Sequence, residues 1–191
     1  MPSTFKNFLL LMAAVLALLG GYWLAQTLRP EPEITTARTY GGGEMIAFTL
    51  PGLDGKIHSL EQWRGQVIVL NFWATWCPPC REEIPLLVAL QKNRAATGLQ
   101  VVSVAIDDPG AVARYSKSAG INYPVLLGGD DGLDLIARYG NRSGSLPFTV
   151  IIDRKGTIVV RKLGAFSRNE IEELVDPLIG PAKTENLPVS S

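Results

Sequence analysis

The stretch "QVIVLNFWATWCPPCREEIP", residues 66–85, constrains the fold more than any other part of the chain. Its first half is an apolar, β-branched run of strand length, the pattern of a central strand covered on both faces. That run leads directly into Cys77 and Cys80, the only two cysteines of the chain. Pro78 and Pro79 between them suit the first turn of a helix, where backbone amides have no intrahelical partner to lose. The strand is therefore expected to feed a helix that runs through Asn93, with Cys77 at its N-terminus.

The flanking sequence repeats this alternation. "LQVVSVAI" reads as a second buried strand, "GAVARYSKSAG" as a short helix ended by Gly120, "YPVLLG" as a third strand and "LDLIARYG" as another helix. Further on, "PFTVIIDRKGTIVVRKLGAF" reads as a hairpin turning at "RKG", with Asp153 and Gly156 as turn residues. Ser167 with Glu170 three positions later is a capping box that opens a last helix through Ile179. Ahead of the central strand, "IAFTLPGLDGKIHSL" gives two short strands around a "DG" turn, an N-terminal β-hairpin extension. Alternating strands and helices imply an α/β fold, a mixed central sheet with helices on both faces.

Both ends differ from this pattern. From Phe8 to Ala25 the chain reads "FLLLMAAVLALLGGYWLA" without a charge, long enough as a helix (roughly 27 Å) to cross the hydrocarbon of a bilayer. Tyr22 and Trp23 suit the membrane interface, and they crowd the junction where a cleaved leader needs small residues. Residues 1–29 are thus read as one retained N-terminal transmembrane signal-anchor. Lys6 favours an inside N-terminus, which puts the rest of the chain on the extracytoplasmic, periplasmic side of the cell membrane, where disulfide chemistry is permitted. Residues 30–43, rich in proline and glycine, read as a flexible linker; 44–180 form the folded domain; 181–191 are a loose tail.

Composition removes several function classes. The chain of 191 residues carries 18 basic and 18 acidic residues with no basic block, so nothing in it supplies the clustered cations that nucleic acid requires. Two cysteines and one histidine cannot complete a four-ligand zinc site within one chain, so no metal is expected. His58 has no companion ligand and reads as an ordinary satisfied histidine. Asp107 and Asp108 ahead of Pro109 read as a turn and helix start, not as a carboxylate dyad.

The thiol pair carries the chemistry. Side chains at i and i+3 of a helix share a face at a separation that a disulfide accepts. The loop such a bridge would close is too short to restrain the unfolded chain much, so a purely structural role explains it poorly. At the helix N-terminus, unsatisfied amides and the helix dipole favour a thiolate, which marks Cys77 as the nucleophile. Cys80, one turn inside, is placed to resolve a mixed disulfide. No cofactor is required.

Taken together, "FWATWC", the Cys-Pro-Pro-Cys itself, "REEIP" and "SLPFTVIIDRKG" resemble the thioredoxin superfamily, most closely its membrane-anchored TlpA/ResA-like branch, over about Met45 to Ile179. The resemblance implies a thioredoxin-like fold and a cis peptide between Leu146 and Pro147, facing the cysteines, whose preceding backbone pairs with bound substrate. It also fits a helix kinked at Pro85, which lacks the amide that would reach the carbonyl of Arg81. Ordinary thioredoxins carry a buried aspartate two positions before the first tryptophan of this motif, where this chain has Asn71, which cannot exchange a proton near neutral pH. Glu83, one turn after Cys80, stands where the ResA-like branch has a glutamate, so it is expected to move the Cys80 proton. On residues alone, Glu82 and Glu83 also fit a solvated helix face.

The expected activity is dithiol-disulfide exchange on protein disulfides, with Trp76, Pro78, Pro79, Leu146 and Pro147 facing the substrate. Trp73 is read as core. Two prolines between the cysteines bring neither charge nor amide donor, which favours a reductant over an oxidant. The resemblance implies recharging by a membrane thiol donor of DsbD or CcdA type, and its branch includes reductases of apocytochrome c. Those dedicated enzymes often carry Pro-Glu-Thr-Phe where this chain has "LPFTV". Alternatives are an oxidising, disulfide-forming protein, or a copper chaperone holding Cu(I) between the two thiols. A peroxidase would need further groups around its cysteine, and a scaffold would need no thiols at all.

Overall fold

The computed structural model describes residues 38–129 and 131–179, together with positions 12, 13, 16 and 19–22. The chain divides into two compact units, Met1–Thr35 and Thr36–Ser191. In the first, the described positions are helical; the anchor read over 1–29 and the tail over 181–191 otherwise lie outside the described residues. Among the described residues, no helix is long and apolar enough to cross a membrane.

The second unit has, in chain order, β1 (Arg38–Tyr40), β2 (Thr49–Pro51), β3 (Ile57–Ser59), β4 (Val67–Trp73), α1 (Pro78–Arg94), β5 (Leu99–Ala105), α2 (Pro109–Ser118), β6 (Val125–Leu127), α3 (Asp131–Arg138), β7 (Phe148–Ile152), β8 (Ile158–Leu163) and α4 (Arg168–Ile179). Six strands form one sheet in the order β1-β8-β7-β4-β5-β6, while β2 and β3 pair antiparallel beside it. β4, β5 and β6 run parallel; β7, β8 and β1 are antiparallel additions. This is a mixed sheet of thioredoxin-like order with β4 at its centre.

All seven residues of β4 are buried, and their alternation assigns each to a face. Ile68, Leu70 and Phe72 join Leu60, Trp63, Leu135, Ile136 and Tyr139 in one core. Val67 and Val69 point the other way, into a second core with Leu87 and Leu90 of α1 and Ile171, Val175 and Ile179 of α4. A third cluster, at the C-terminal end of β4, holds Trp73, Ala74, Cys77, Cys80 and Ile84 with Val112 and Val125. Burying a side chain of this size stabilises a fold by about 1.5–3 kcal/mol, so the two faces of β4 fix its register on both sides.

One boundary differs from the sequence reading. Composition makes the whole of 30–43 a linker, but Arg38–Tyr40 pairs antiparallel with β8, and the amides of Gly41 and Gly42 donate to the carbonyls of Val159 and Ile158 at 3.1 Å. Backbone pairing to an open sheet edge needs no apolar side chains, so composition does not reveal it. Helix α4 runs to Ile179, as the sequence reading has it, and continues through Pro177. Its start is capped by Ser167, whose hydroxyl accepts the Glu170 amide at 3.4 Å, but the Glu170 carboxylate is paired with Lys162.

Candidate active site

The cysteines sit where β4 ends. Parallel pairing puts Trp73 beside Ala105, and the Ile106 amide donates to the Trp73 carbonyl at 2.9 Å. The chain then turns through Thr75, held by Asp107: its carboxylate accepts the Thr75 amide at 2.9 Å and also its hydroxyl. Burial works against the charge on Asp107, but donation by the Thr75 hydroxyl and by the Asp108 and Thr75 amides holds its carboxyl below the ordinary carboxylate range. Asp108 next to it caps α2 by accepting the Ala111 amide at 2.9 Å.

Cys77 is the N-cap of α1, with extended backbone (φ −93°, ψ 105°), and its Sγ accepts the Cys80 amide at 3.3 Å. A sulfur there receives one of the donors a helix start leaves unsatisfied. The two sulfurs are bonded at 2.04 Å with the Cα atoms 5.3 Å apart. Cys77 is 4% exposed and Cys80 1%. Around them, Trp76 is 66% exposed and Pro78 and Pro79 are exposed. Leu146 packs against the cysteine cluster, and the Leu146–Pro147 peptide is cis. Because Phe148 of β7 lies opposite Phe72, this corner is brought to the end of β4 that bears the thiols. The expected substrate-facing residues are therefore assembled at one end of the sheet, although Pro147 itself is buried. Trp73 is fully buried, and its ring packs on Tyr115 with centroids 5.5 Å apart.

Cys80, Glu83, Ile84 and Leu87 form the inward face of α1. Of the two neighbouring glutamates, Glu82 is exposed and Glu83 is only 2% exposed, so the solvated-face reading holds for Glu82 alone. Glu83 Oε1 accepts the Phe166 amide at 2.8 Å and Oε2 accepts Asn71 Nδ2 at 3.0 Å; the same Asn71 nitrogen donates to Thr149 Oγ1 at 2.9 Å. Burial, opposed by these two donors, raises the Glu83 carboxyl from 4.5 to about 7. A carboxyl in that range exchanges protons near neutral pH, which Asn71 cannot do.

His58 is satisfied locally, with Nε2 at 2.9 Å from Asp54 and Nδ1 at 2.8 Å from Gln62, and its ring is stacked on Trp63. Sequence reasoning missed Thr75 and Asp107 as the pin beneath the active-site turn. It also missed Thr149, Lys162 and Glu170 around Glu83. The strands carried a signal for these: Asn71 is a polar residue inside a strand buried on both faces, and Lys162 alternates in phase with buried Val160 in β8.

The comparisons agree with this geometry. The model of the AhpC/TSA family matches residues 42–161. The thiol-disulfide oxidoreductase ResA of Halalkalibacterium halodurans is 30% identical over 169 residues, 88% of this chain and 91% of that protein. ResA of Bacillus subtilis is 31% identical over 144 residues, 75% and 78% of the two chains. Among solved structures, a thiol:disulfide interchange protein of the thioredoxin family from Chlorobium tepidum superposes with a TM-score of 0.66 at 31% identity, covering 72% of this chain and 96% of that one. With a close cysteine pair at the head of α1 and ResA relatives matched over 75% and 88% of its length, this chain belongs to the AhpC/TSA family and is a thiol-disulfide oxidoreductase of the ResA type.

Proposed function

We propose that this oxidoreductase works as an extracytoplasmic reductase of protein disulfides, with Cys77–Pro78–Pro79–Cys80 as its redox pair. The observation that carries the proposal is the placement of Cys77 at the N-cap of α1, its sulfur already accepting an amide and flanked by exposed Trp76. That placement stabilises a thiolate, and the absence of charge or amide donor in the Pro-Pro pair keeps the stabilisation moderate, as suits a reductant.

In the reduced protein, the Cys77 thiolate attacks one sulfur of a substrate disulfide. A Cys77–substrate bond forms, and the other substrate sulfur leaves as a thiolate that takes a proton. Cys80 then passes its proton to the Glu83 carboxylate and attacks Cys77 Sγ. The Cys77–Cys80 bond closes, the second substrate sulfur leaves, and two electrons have moved from the pair to the substrate. Glu83 returns its proton to solvent or to the leaving thiolate, a reversible role that its elevated proton affinity supports. Trp76, Pro78, Pro79 and the Leu146–Pro147 corner contact the substrate chain.

The apolar segment 8–25 with its interfacial Tyr22 and Trp23 supports retention at the membrane, with the catalytic domain outside the cytoplasm. Each turnover leaves the pair oxidised, so a membrane thiol donor of DsbD or CcdA type must recharge it. Apocytochrome c is one client this reading admits.

The test is the reduction potential of the Cys77–Cys80 couple, by equilibration with glutathione or dithiothreitol buffers and mass-spectrometric readout. A value near or below the roughly −270 mV of thioredoxin supports the reductase; a value near the roughly −120 mV of a strong oxidant makes disulfide formation the function instead.

A further inference from the structure

Behind Glu83 the sheet carries a row of buried polar residues that interrupts an otherwise largely apolar interior. Asn71 in β4, Thr149 in β7 and Lys162 in β8 are direct cross-strand partners, Asn71 with Thr149 and Thr149 with Lys162, so all three stand on one face. They are 1%, 0% and 2% exposed. Lys162 Nζ is ion-paired with the Glu170 carboxylate of α4 and lies 4.5 Å from the centroid of the Phe166 ring. Phe166 is also the residue whose amide holds Glu83 Oε1. The lysine, its glutamate and the Glu83 carboxyl thus meet around one residue in the interior.

A buried ion pair gives little net stability; replacing both partners with apolar groups is often neutral or better, whereas removing one of them is costly. Stability is therefore a weak reason for Lys162 and Glu170 to lie here. We propose that Lys162 and Glu170 are positioning residues for the thiol exchange, acting through Glu83: Lys162 is the counter-charge that lets the buried carboxyl ionise, and Glu170 tempers that pull so that the carboxyl can also take the proton back. This inference rests on Glu83 being the proton carrier of the proposed reaction.

The charges support it. The attraction of Lys162 for the Glu83 carboxylate outweighs the repulsion from Glu170, and both act against a burial cost that favours the neutral acid. With Glu83 protonated the three groups are neutral together; with Glu83 ionised they carry one negative charge, shared with a lysine already in place. Asn71 and Phe166 donate to the Glu83 carboxylate, Tyr123 ahead of β6 lies near it, and Cys80 stands one turn before it among the buried residues of α1. Burial keeps the Tyr123 phenol neutral, so it brings no charge to the site.

The experiment is a titration of Glu83 in the oxidised full-length protein, by carbon-13 NMR of the glutamate carboxyls. It is paired with the rate at which Cys80 resolves a Cys77–glutathione mixed disulfide between pH 5 and 9. Lys162→Met is expected to move the Glu83 midpoint upward, and Glu170→Gln to move it downward, each by on the order of one pH unit, a tenfold change in proton affinity. The double variant is expected back near the parent, and the pH profile of resolution should follow the same order. A merely structural pair would give no shift, or shifts of one sign, and either result overturns the inference. Glu170 is partly exposed, so if Lys162→Met does not fold, a failure of Glu170→Gln to lower the midpoint overturns it alone. Glu83→Gln separates the two levels. If Glu83→Gln gives the parent's pH profile of resolution, the carrier role itself fails. If its profile departs from the parent's but those of the Lys162 and Glu170 variants do not, only the role of Lys162 and Glu170 fails.

Discussion

Glu83 makes the stability of the oxidised protein depend on pH in a direction opposite to that of most carboxylates. Its folded-state affinity for a proton is raised, not lowered, so the native state holds the proton more tightly than the unfolded chain does. Its contribution is fully favourable below 4.5, where both states are protonated, and it is lost progressively as the pH rises to about 7, where the folded carboxyl must ionise in the interior. At 1.36 kcal/mol per pH unit, the rise from 4.5 to about 7 corresponds to about 3 kcal/mol above neutrality, undiscounted because the side chain is 2% exposed. Glu83→Gln removes this titration. Its own hydrogen-bond cost, from placing an amide where Asn71 or the Phe166 amide donates, is the same at every pH. The difference in unfolding free energy, variant minus parent, measured by urea denaturation of the oxidised protein from pH 4.5 to 8.5, is therefore expected to climb by about 3 kcal/mol and level off above pH 7. Parallel pH curves for the two proteins would refute the reasoning, and a difference falling with pH would reverse its sign.

Three further outcomes follow from the site. Cys80→Ser should arrest exchange at the mixed disulfide, giving a stable Cys77–substrate adduct by mass spectrometry, while Cys77→Ser should give none. Trp76→Ala, which removes an exposed ring beside the nucleophile, should raise KM for a protein disulfide by up to about 30-fold, the equivalent of about 2 kcal/mol of docking energy, and leave reduction of a small aromatic disulfide unchanged. Asp107→Ala frees the Thr75 amide and hydroxyl and should cost about 1–3 kcal/mol by urea denaturation near pH 7. Because the Asp107 carboxyl is depressed in the fold, its contribution is present above 3.8 and lost as the pH falls through the lower folded value, so the deficit should narrow in acid.

The sequence disclosed the parts of this site that depend on local order. A buried β-branched strand, two prolines and a cysteine at a helix start are each readable from neighbours along the chain, and together they place Cys77 at the N-cap and Cys80 one turn inside. The edge strand Arg38–Tyr40 was hidden because its pairing is all backbone and its glycine-rich surroundings suggest a tether. Glu83 could be named from its place after Cys80, but its burial could not: an acid three residues along a helix is as compatible with water as with the interior. What decides the matter is the opposite wall, and that wall is assembled from β4, β7, the loop before α4 and α4 itself, segments separated by up to about a hundred residues. Parity along a strand predicts which face a residue takes, but not what charge stands across from it. Lys162 in phase with Val160 is by itself an anomaly, one polar residue on an apolar face. It gains a meaning only when antiparallel pairing sets it beside Thr149, Thr149 beside Asn71, and Asn71 against Glu83. In this chain the acid that can serve the thiols comes from the helix, and the sheet position next to it holds an amide that can only orient it. The charge that balances the acid then has to arrive from a third strand.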